Sequence, residues 1–285
     1  MSEWKITMLA NEHCETGENP LWDGQRECVY WADIPNGKIF RYDLAWQSHE
    51  QIYSDVPVGG FTLQTDGSLL LFRVSDIAIL PWRGVARTII KYSDDGMERF
   101  NDVSADPEGR VFAGTIGKTE TSGGLYRVDL DGTITKLFDG TGCANGSGFS
   151  PDLQMFYWTC STTKRLFRFR YHRETGELTE RTEIYRAQNE GTPDGLTVDA
   201  EGNLWSARWD GQTIVKHAPD GSVLGKIKMP VKTISSVCFG GSDYAKLFVT
   251  TASGKSCSSS EDGALFQIEG NFRGKPEFHS RISLA

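Results

Sequence analysis

Three observations predict a closed all-β fold, a six-bladed β-propeller. A unit of turn, short alternating strand, second turn and second strand recurs six times along the 285 residues. Its markers Asp23, Asp66, Asp106, Asp152, Asp199 and Asp243 are spaced 43, 40, 46, 47 and 44 residues apart, within the ~40–50-residue period of a propeller blade. Period-two alternation bounded by Gly, Asp and Asn runs throughout, and no long stretch carries apolar residues at i, i+3, i+4 and i+7.

The elements follow in order. Trp4–Leu9 alternates but precedes the first unit; it is expected to pair with the last blade and close the ring, making residues 1–285 one propeller domain without an open sheet edge. The first unit reads Asp23-Gly24, Cys28–Asp33, a turn at Pro35-Asn36-Gly37, and Ile39–Asp43. The second has Asp66-Gly67, Leu69–Phe72 and Ile77–Leu80; the third has Asp106-Pro107-Glu108-Gly109, Val111–Gly114 and Leu125–Asp129. The fourth runs from Ser150-Pro151-Asp152 through Met155–Trp158 to Leu166–Phe169, and the fifth from Asp199 through Leu204–Ala207 to Thr213–Lys216. The sixth has Ser242-Asp243, Leu247–Thr250 and Leu265–Ile268. Each unit would form a four-stranded antiparallel sheet set radially around a channel.

Composition narrows the function. Eight Trp and fifteen Phe supply a sizeable core. Thirty basic against thirty-eight acidic residues give a net charge of −8 with no Lys/Arg cluster, which disfavours a nucleic-acid partner. The start Met1-Ser2-Glu3-Trp4-Lys5 lacks a basic region followed by an apolar core, and no apolar run approaches a membrane span, so the chain reads as soluble, free of membrane and cytoplasmic. Cys14, Cys28, Cys143, Cys160, Cys238 and Cys257 are dispersed, as are the five His, so neither a zinc knuckle nor a redox pair is built locally.

Propellers bind ligands near the axis, at the segments leading into the innermost strand of each blade. Four of these segments are polar: Thr16-Gly17-Glu18-Asn19-Pro20, Arg99-Phe100-Asn101-Asp102, Ala144-Asn145-Gly146-Ser147 and Pro193-Asp194-Gly195. Brought together, the carboxylates of Glu18 and Asp194 and the amide oxygen of Asn145 would form an all-oxygen site. Such donors suit Ca²⁺, Mg²⁺ or Mn²⁺, and Zn²⁺ and Fe²⁺ are also held in sites of this type.

These segments, with DPEGRVFAGT from Asp106, Gly124–Asp129, PDGLTVDAEGNLW from Pro193 and SSVCFGG from Ser235, resemble the SMP-30/gluconolactonase family of regucalcin-like sugar lactonases over essentially the whole chain. The resemblance implies a six-bladed propeller with one catalytic divalent metal that hydrolyses aldonolactones to sugar acids. It implies metal ligands at Glu18, Asn145 and Asp194, with Arg99 and Asn101 facing the substrate. The ion would polarise the lactone carbonyl or activate a water, with Asp194 as general base. The chain departs from the family pattern at Thr159-Cys160-Ser161, where many relatives carry Asp-Ser, and at Ser147, where an apolar residue commonly follows Asn-Gly; both bear on selectivity.

Two rival functions stand beside the lactonase: an organophosphate or phosphotriester hydrolase using a similar metal pocket, and a non-catalytic calcium-binding or interaction propeller. Taken singly, Asp106 and Asp199 read as turn formers, and Trp158, Trp205 and Trp209 as packing. Glu98 and Asp102 read as groups that orient Arg99; Ser253–Asp262 reads as a polar loop, over one face or in solvent.

Overall fold

A computed structural model describes residues 4–254 and 259–283, and six four-stranded antiparallel sheets account for its strands. β1 (Lys5–Asn11) comes first in the chain. Blade one holds β2 (Gly17–Asp23), β3 (Cys28–Asp33), β4 (Lys38–Asp43) and β5 (Ser48–Ser54). Blade two holds β6 (Val58–Leu63), β7 (Leu69–Arg73), β8 (Asp76–Leu80) and β9 (Arg87–Lys91). Blade three holds β10 (Met97–Ala105), β11 (Val111–Gly117), β12 (Gly123–Val128) and β13 (Ile134–Thr141). Blade four holds β14 (Ala144–Phe149), β15 (Met155–Cys160), β16 (Arg165–His172) and β17 (Glu177–Arg186). Blade five holds β18 (Thr192–Val198), β19 (Leu204–Trp209), β20 (Thr213–His217) and β21 (Val223–Lys228). Blade six takes β22 (Ile234–Gly240), β23 (Lys246–Thr251) and β24 (Ala264–Glu269), with β1 antiparallel to β24 as its fourth strand. The architecture is the six-bladed propeller expected from the repeat. Among the described residues there is no α-helix, and none long and apolar enough to cross a membrane.

The repeat Asp is a buried staple at Asp23, Asp106 and Asp199, whereas Asp66, Asp152 and Asp243 are exposed turn residues. Asp106 accepts hydrogen bonds from the Glu108 and Arg110 amides (2.9 Å each), Arg110 Nε (2.6 Å) and the Tyr171 hydroxyl (2.8 Å). Asp199 likewise holds the Glu201 and Asn203 amides and Trp205 Nε1 (3.0, 2.8 and 3.0 Å). An Asp at this place closes its own turn and ties it to the blade. Between blades, apolar faces meet: Phe112 of β11 packs with Phe149, Phe156 and Tyr171 of blade four, and Trp205 of blade five with Phe239 of blade six.

A β-bulge is common to all six innermost strands at one level. The register shifts by one residue between Glu18 and Leu21, Val58 and Gly60, Phe100 and Val103, Asn145 and Ser147, Pro193 and Leu196, and Ile234 and Ser236. An extra residue breaks the pleat and re-aims the side chains beside it. Glycine makes the level passable: a Cβ on Gly146 would collide with the backbone of Gly195 and Leu196, and one on Gly195 with Ser236.

After β24 the chain crosses the end of the propeller that carries the Asp-Gly turns. Ala200 N donates to Arg273 O (2.8 Å), Arg281 N to Gly109 O (2.9 Å) and Ser280 N to Leu63 O (2.9 Å). Thr197 Oγ1 donates to Glu277 in the same crossing (2.9 Å). The axis is thereby covered at that end, and the site lies at the other.

Candidate functional site

Glu18, Arg99, Asn101, Asn145 and Asp194 all line one cavity of about 300 Å³ at the open end of the axis. They belong to the innermost strands β2, β10, β14 and β18 rather than to loops ahead of them. The sequence conceals this because the bulge interrupts alternation where the polar residues fall. Thr16, Ile34, Ile116, Cys143, Ser161, Thr192 and Trp209 complete the wall. Larger hollows exist at the rim, such as one of about 890 Å³ beside Glu108, Arg110 and Arg281, but their charged groups pair with one another.

Glu18 is 4% exposed, Asn145 6% and Asp194 4%. Each is thus a polar group withdrawn from bulk water, which needs a partner. Glu18 Oε2 accepts the Asn19 amide (2.9 Å). Asn145 Nδ2 donates to Ser161 Oγ (3.0 Å), while Asn145 Oδ1 is buried with no hydrogen-bond partner. An amide oxygen without a donor, on the cavity wall with two carboxylates, fits a hard cation.

The electrostatics agree. Burial pushes the Glu18 carboxyl well above its ordinary range, with the charges of Asp102 and Asp194 adding to it; the Asn19 amide and Arg99 oppose the shift. Burial likewise raises Asp194, helped by Asp102 and opposed by the Asn145 amide and Arg99. Burial raises Asp102 to about 7, against the pull of Arg99. The charges of Glu18, Asp102 and Asp194 act on one another at a distance through a poorly solvated region with one guanidinium among them, and a bound divalent cation would relieve that excess. Among the described residues no three His, Cys, Asp or Glu side chains converge as a metal-holding group, so the fitting donor set is the two carboxylates with the Asn145 amide.

Arg99 Nη1 donates to the Phe100 carbonyl (2.8 Å) and Asn101 Oδ1 (2.7 Å), and Asn101 Nδ2 donates to Ala144 O (2.9 Å). The Asn101 amide thus holds Arg99 and ties blade three to blade four. Glu98 is exposed, and Asp102 turns into a second space of about 60 Å³ further down the axis, beside Asn19, Ser104 and Ser147. Neither holds Arg99 by a hydrogen bond or ion pair, that being done by Phe100 O and Asn101; their charges act on it only at a distance. Trp158 and Trp205 are core residues as expected, whereas half-buried Trp209 lines the cavity. Ser161 was missed as a wall residue, as was Cys143, whose thiol burial pushes up to about 12. A signal for both existed in their places, Cys143 directly before β14 and Ser161 directly after β15, at the end of the blade where Asn145 enters the cavity. Of the polar loop Ser253–Asp262, residues 255–258 lie outside the described residues; Ser253 Oγ bonds Cys14 O (3.0 Å), beside the lead into β2.

The family model described as SMP-30/Gluconolactonase/LRE-like region matches residues 16–253. The chain is 38% identical to the pentonolactonase XacC of Haloferax volcanii over 293 residues, covering 98% of this chain and 99% of that one. It is 32% identical to regucalcin of Bos taurus, covering 95% and 96%. Among solved structures, a luciferin-regenerating enzyme superposes with a TM-score of 0.90 at 25% identity, covering 98% and 99%. A calcium-binding regucalcin from Agrobacterium tumefaciens also gives 0.90, at 24% identity over 98% of each chain, a likeness of fold.

Proposed function

The chain belongs to the SMP-30/gluconolactonase/LRE-like family, and from that premise we propose that it is a divalent-metal-dependent lactonase opening a sugar lactone to its sugar acid. The observation that carries this reading is the unpartnered Asn145 Oδ1 on the same cavity wall as Glu18 and Asp194. Those three residues would hold the ion. The relative at 38% identity is named a pentonolactonase, which makes five-carbon aldonolactones the first substrates to test.

A divalent ion bound there supplies Lewis acidity to carbonyl and water oxygens. The chain's own groups do the rest. Asp194 takes a proton from the attacking water as its oxygen bonds to the lactone carbonyl carbon, and returns it to the ring oxygen as the carbon–oxygen ring bond breaks. One water is consumed and one hydroxy acid leaves. Arg99, held by Asn101 and Phe100 O, donates charge-assisted hydrogen bonds to substrate oxygens. Trp209, Ile34 and Ile116 give the cavity its apolar share, against which the carbon face of a sugar can lie.

The test is metal-stripped protein assayed on a panel of aldonolactones before and after each divalent ion is restored. Restored hydrolysis is expected, and Asp194→Ala should cost about 10²–10⁴-fold in kcat. Absence of metal-dependent hydrolysis of any lactone would replace this reading with a binding propeller, and full activity of Asp194→Ala would remove its role as base.

A further inference from the structure

We infer that Ser161 is a positioning residue that fixes which atom of the Asn145 amide faces the metal, an inference that rests on the metal reading above. An Asn side chain has an oxygen end and an NH₂ end of nearly equal size, and only the oxygen binds a cation. Something must choose between them.

The choice is made by a chain of three groups. Ser161 Oγ lies 2.7 Å from Pro193 O and 3.0 Å from Asn145 Nδ2. A backbone carbonyl can only accept, so the single hydroxyl proton of Ser161 is committed to Pro193 O. Ser161 Oγ is then an acceptor toward Asn145 and must be met by the amide NH₂. The thiol of Cys143, 3.7 Å from the same nitrogen, is a second, weaker acceptor on that side. Asn145 Oδ1 is turned the other way, where it is buried without a donor. Flipping the amide would set two oxygens against each other at Ser161 and an NH₂ toward the cation.

The same hydroxyl couples two ligand-bearing strands. Pro193 immediately precedes Asp194 on β18, Asn145 is on β14, and Ser161 follows the end of β15. Its own amide donates to Cys143 O (3.1 Å), so its place is set by the backbone as well. Groups that orient ligands in this way typically carry about 10–100-fold in metal affinity.

The experiment is calorimetric titration of metal-free protein with Mn²⁺, checked by the free-ion electron paramagnetic resonance signal. Ser161→Ala should bind at least about tenfold more weakly than wild type, and Ser161→Thr, which keeps the hydroxyl, within about threefold. A second comparison separates orientation from general damage. In an Asn145→Asp background both side-chain termini are oxygen, so Ser161→Ala should there cost less than about threefold. Should Ser161→Ala not fold, Ser161→Cys, whose sulfur is a weak acceptor toward Asn145 Nδ2 and whose S–H is a weak donor, takes its place in both comparisons. Equal Mn²⁺ affinity of Ser161→Ala and wild type, or an equal loss in the Asn145→Asp background, overturns the inference. Failure of wild type itself to bind Mn²⁺ overturns instead the metal reading on which it rests.

Discussion

Replacing Asp106 by Ala removes the carboxylate at the centre of the turn between β10 and β11. The carboxylate is fully buried, and its Oδ2 is 2.6 Å from Arg110 Nε, whose side chain is 8% exposed. The substitution therefore strands a buried guanidinium and also frees two amides and the Tyr171 hydroxyl. Breaking a buried pair from one side costs about 3–5 kcal/mol. The lower end applies, because Arg110 keeps the Glu174 and Arg173 carbonyls of blade four as acceptors. At about 2–4 °C per kcal/mol for a chain near this size, a loss of about 3 kcal/mol lowers Tm by about 6–12 °C. Thermal melts followed by circular dichroism measure this directly. Lactonase activity at 25 °C should stay near wild type, since Asp106 lies at the far end of β10 from Arg99. In an Arg110→Met background the same substitution should cost less, as expected for a coupled pair. A melt within about 2 °C of wild type would refute the assignment of Asp106–Arg110 as the staple between blades three and four.

Three further outcomes are expected. Gly146→Ala places a Cβ against the Gly195 and Leu196 backbone, so β14 and β18 must separate; Mn²⁺ affinity and Tm should fall together, measured by titration and melting. His217 is fully buried, accepts Arg208 Nη2 (2.9 Å) and donates from Nδ1 to Gly221 O (2.9 Å); burial, then the Arg208 charge, holds its pKa down to about 4. Below pH ~6.5 the unfolded chain binds the proton first, so stability should fall by about 3 kcal/mol as pH drops from ~6.5 to ~4. Urea melts across that range should show a shallower slope in His217→Asn. Trp209→Ala should raise KM while leaving Tm within a few degrees, whereas Trp205→Ala, in the core, should cost about 3–5 kcal/mol in stability with little change in KM.

The sequence by itself determined the number of blades, the middle strands of each and five of the residues that line the cavity. The reason is that these depend on local chemistry: Asp and Gly close turns wherever they stand, and alternation marks strands one at a time. Glu18, Asn145 and Asp194 were legible for a related reason, since a polar residue at the same place in successive repeats stands out against apolar neighbours. The tertiary structure alone decided how those residues are held. The bulge shared by six strands is invisible in a single strand, because a shift in register exists only relative to the partner. Trp209 and Trp205 stand four residues apart on the one strand β19, where alternation gives them the same face, and only the closure of the ring sends one to the cavity and the other to the core. Ser161 acts through the carbonyl of a residue 32 positions away, a contact that no local pattern encodes. The donor types were written in the sequence; the direction in which each donor points was set by strands that meet only when the ring closes.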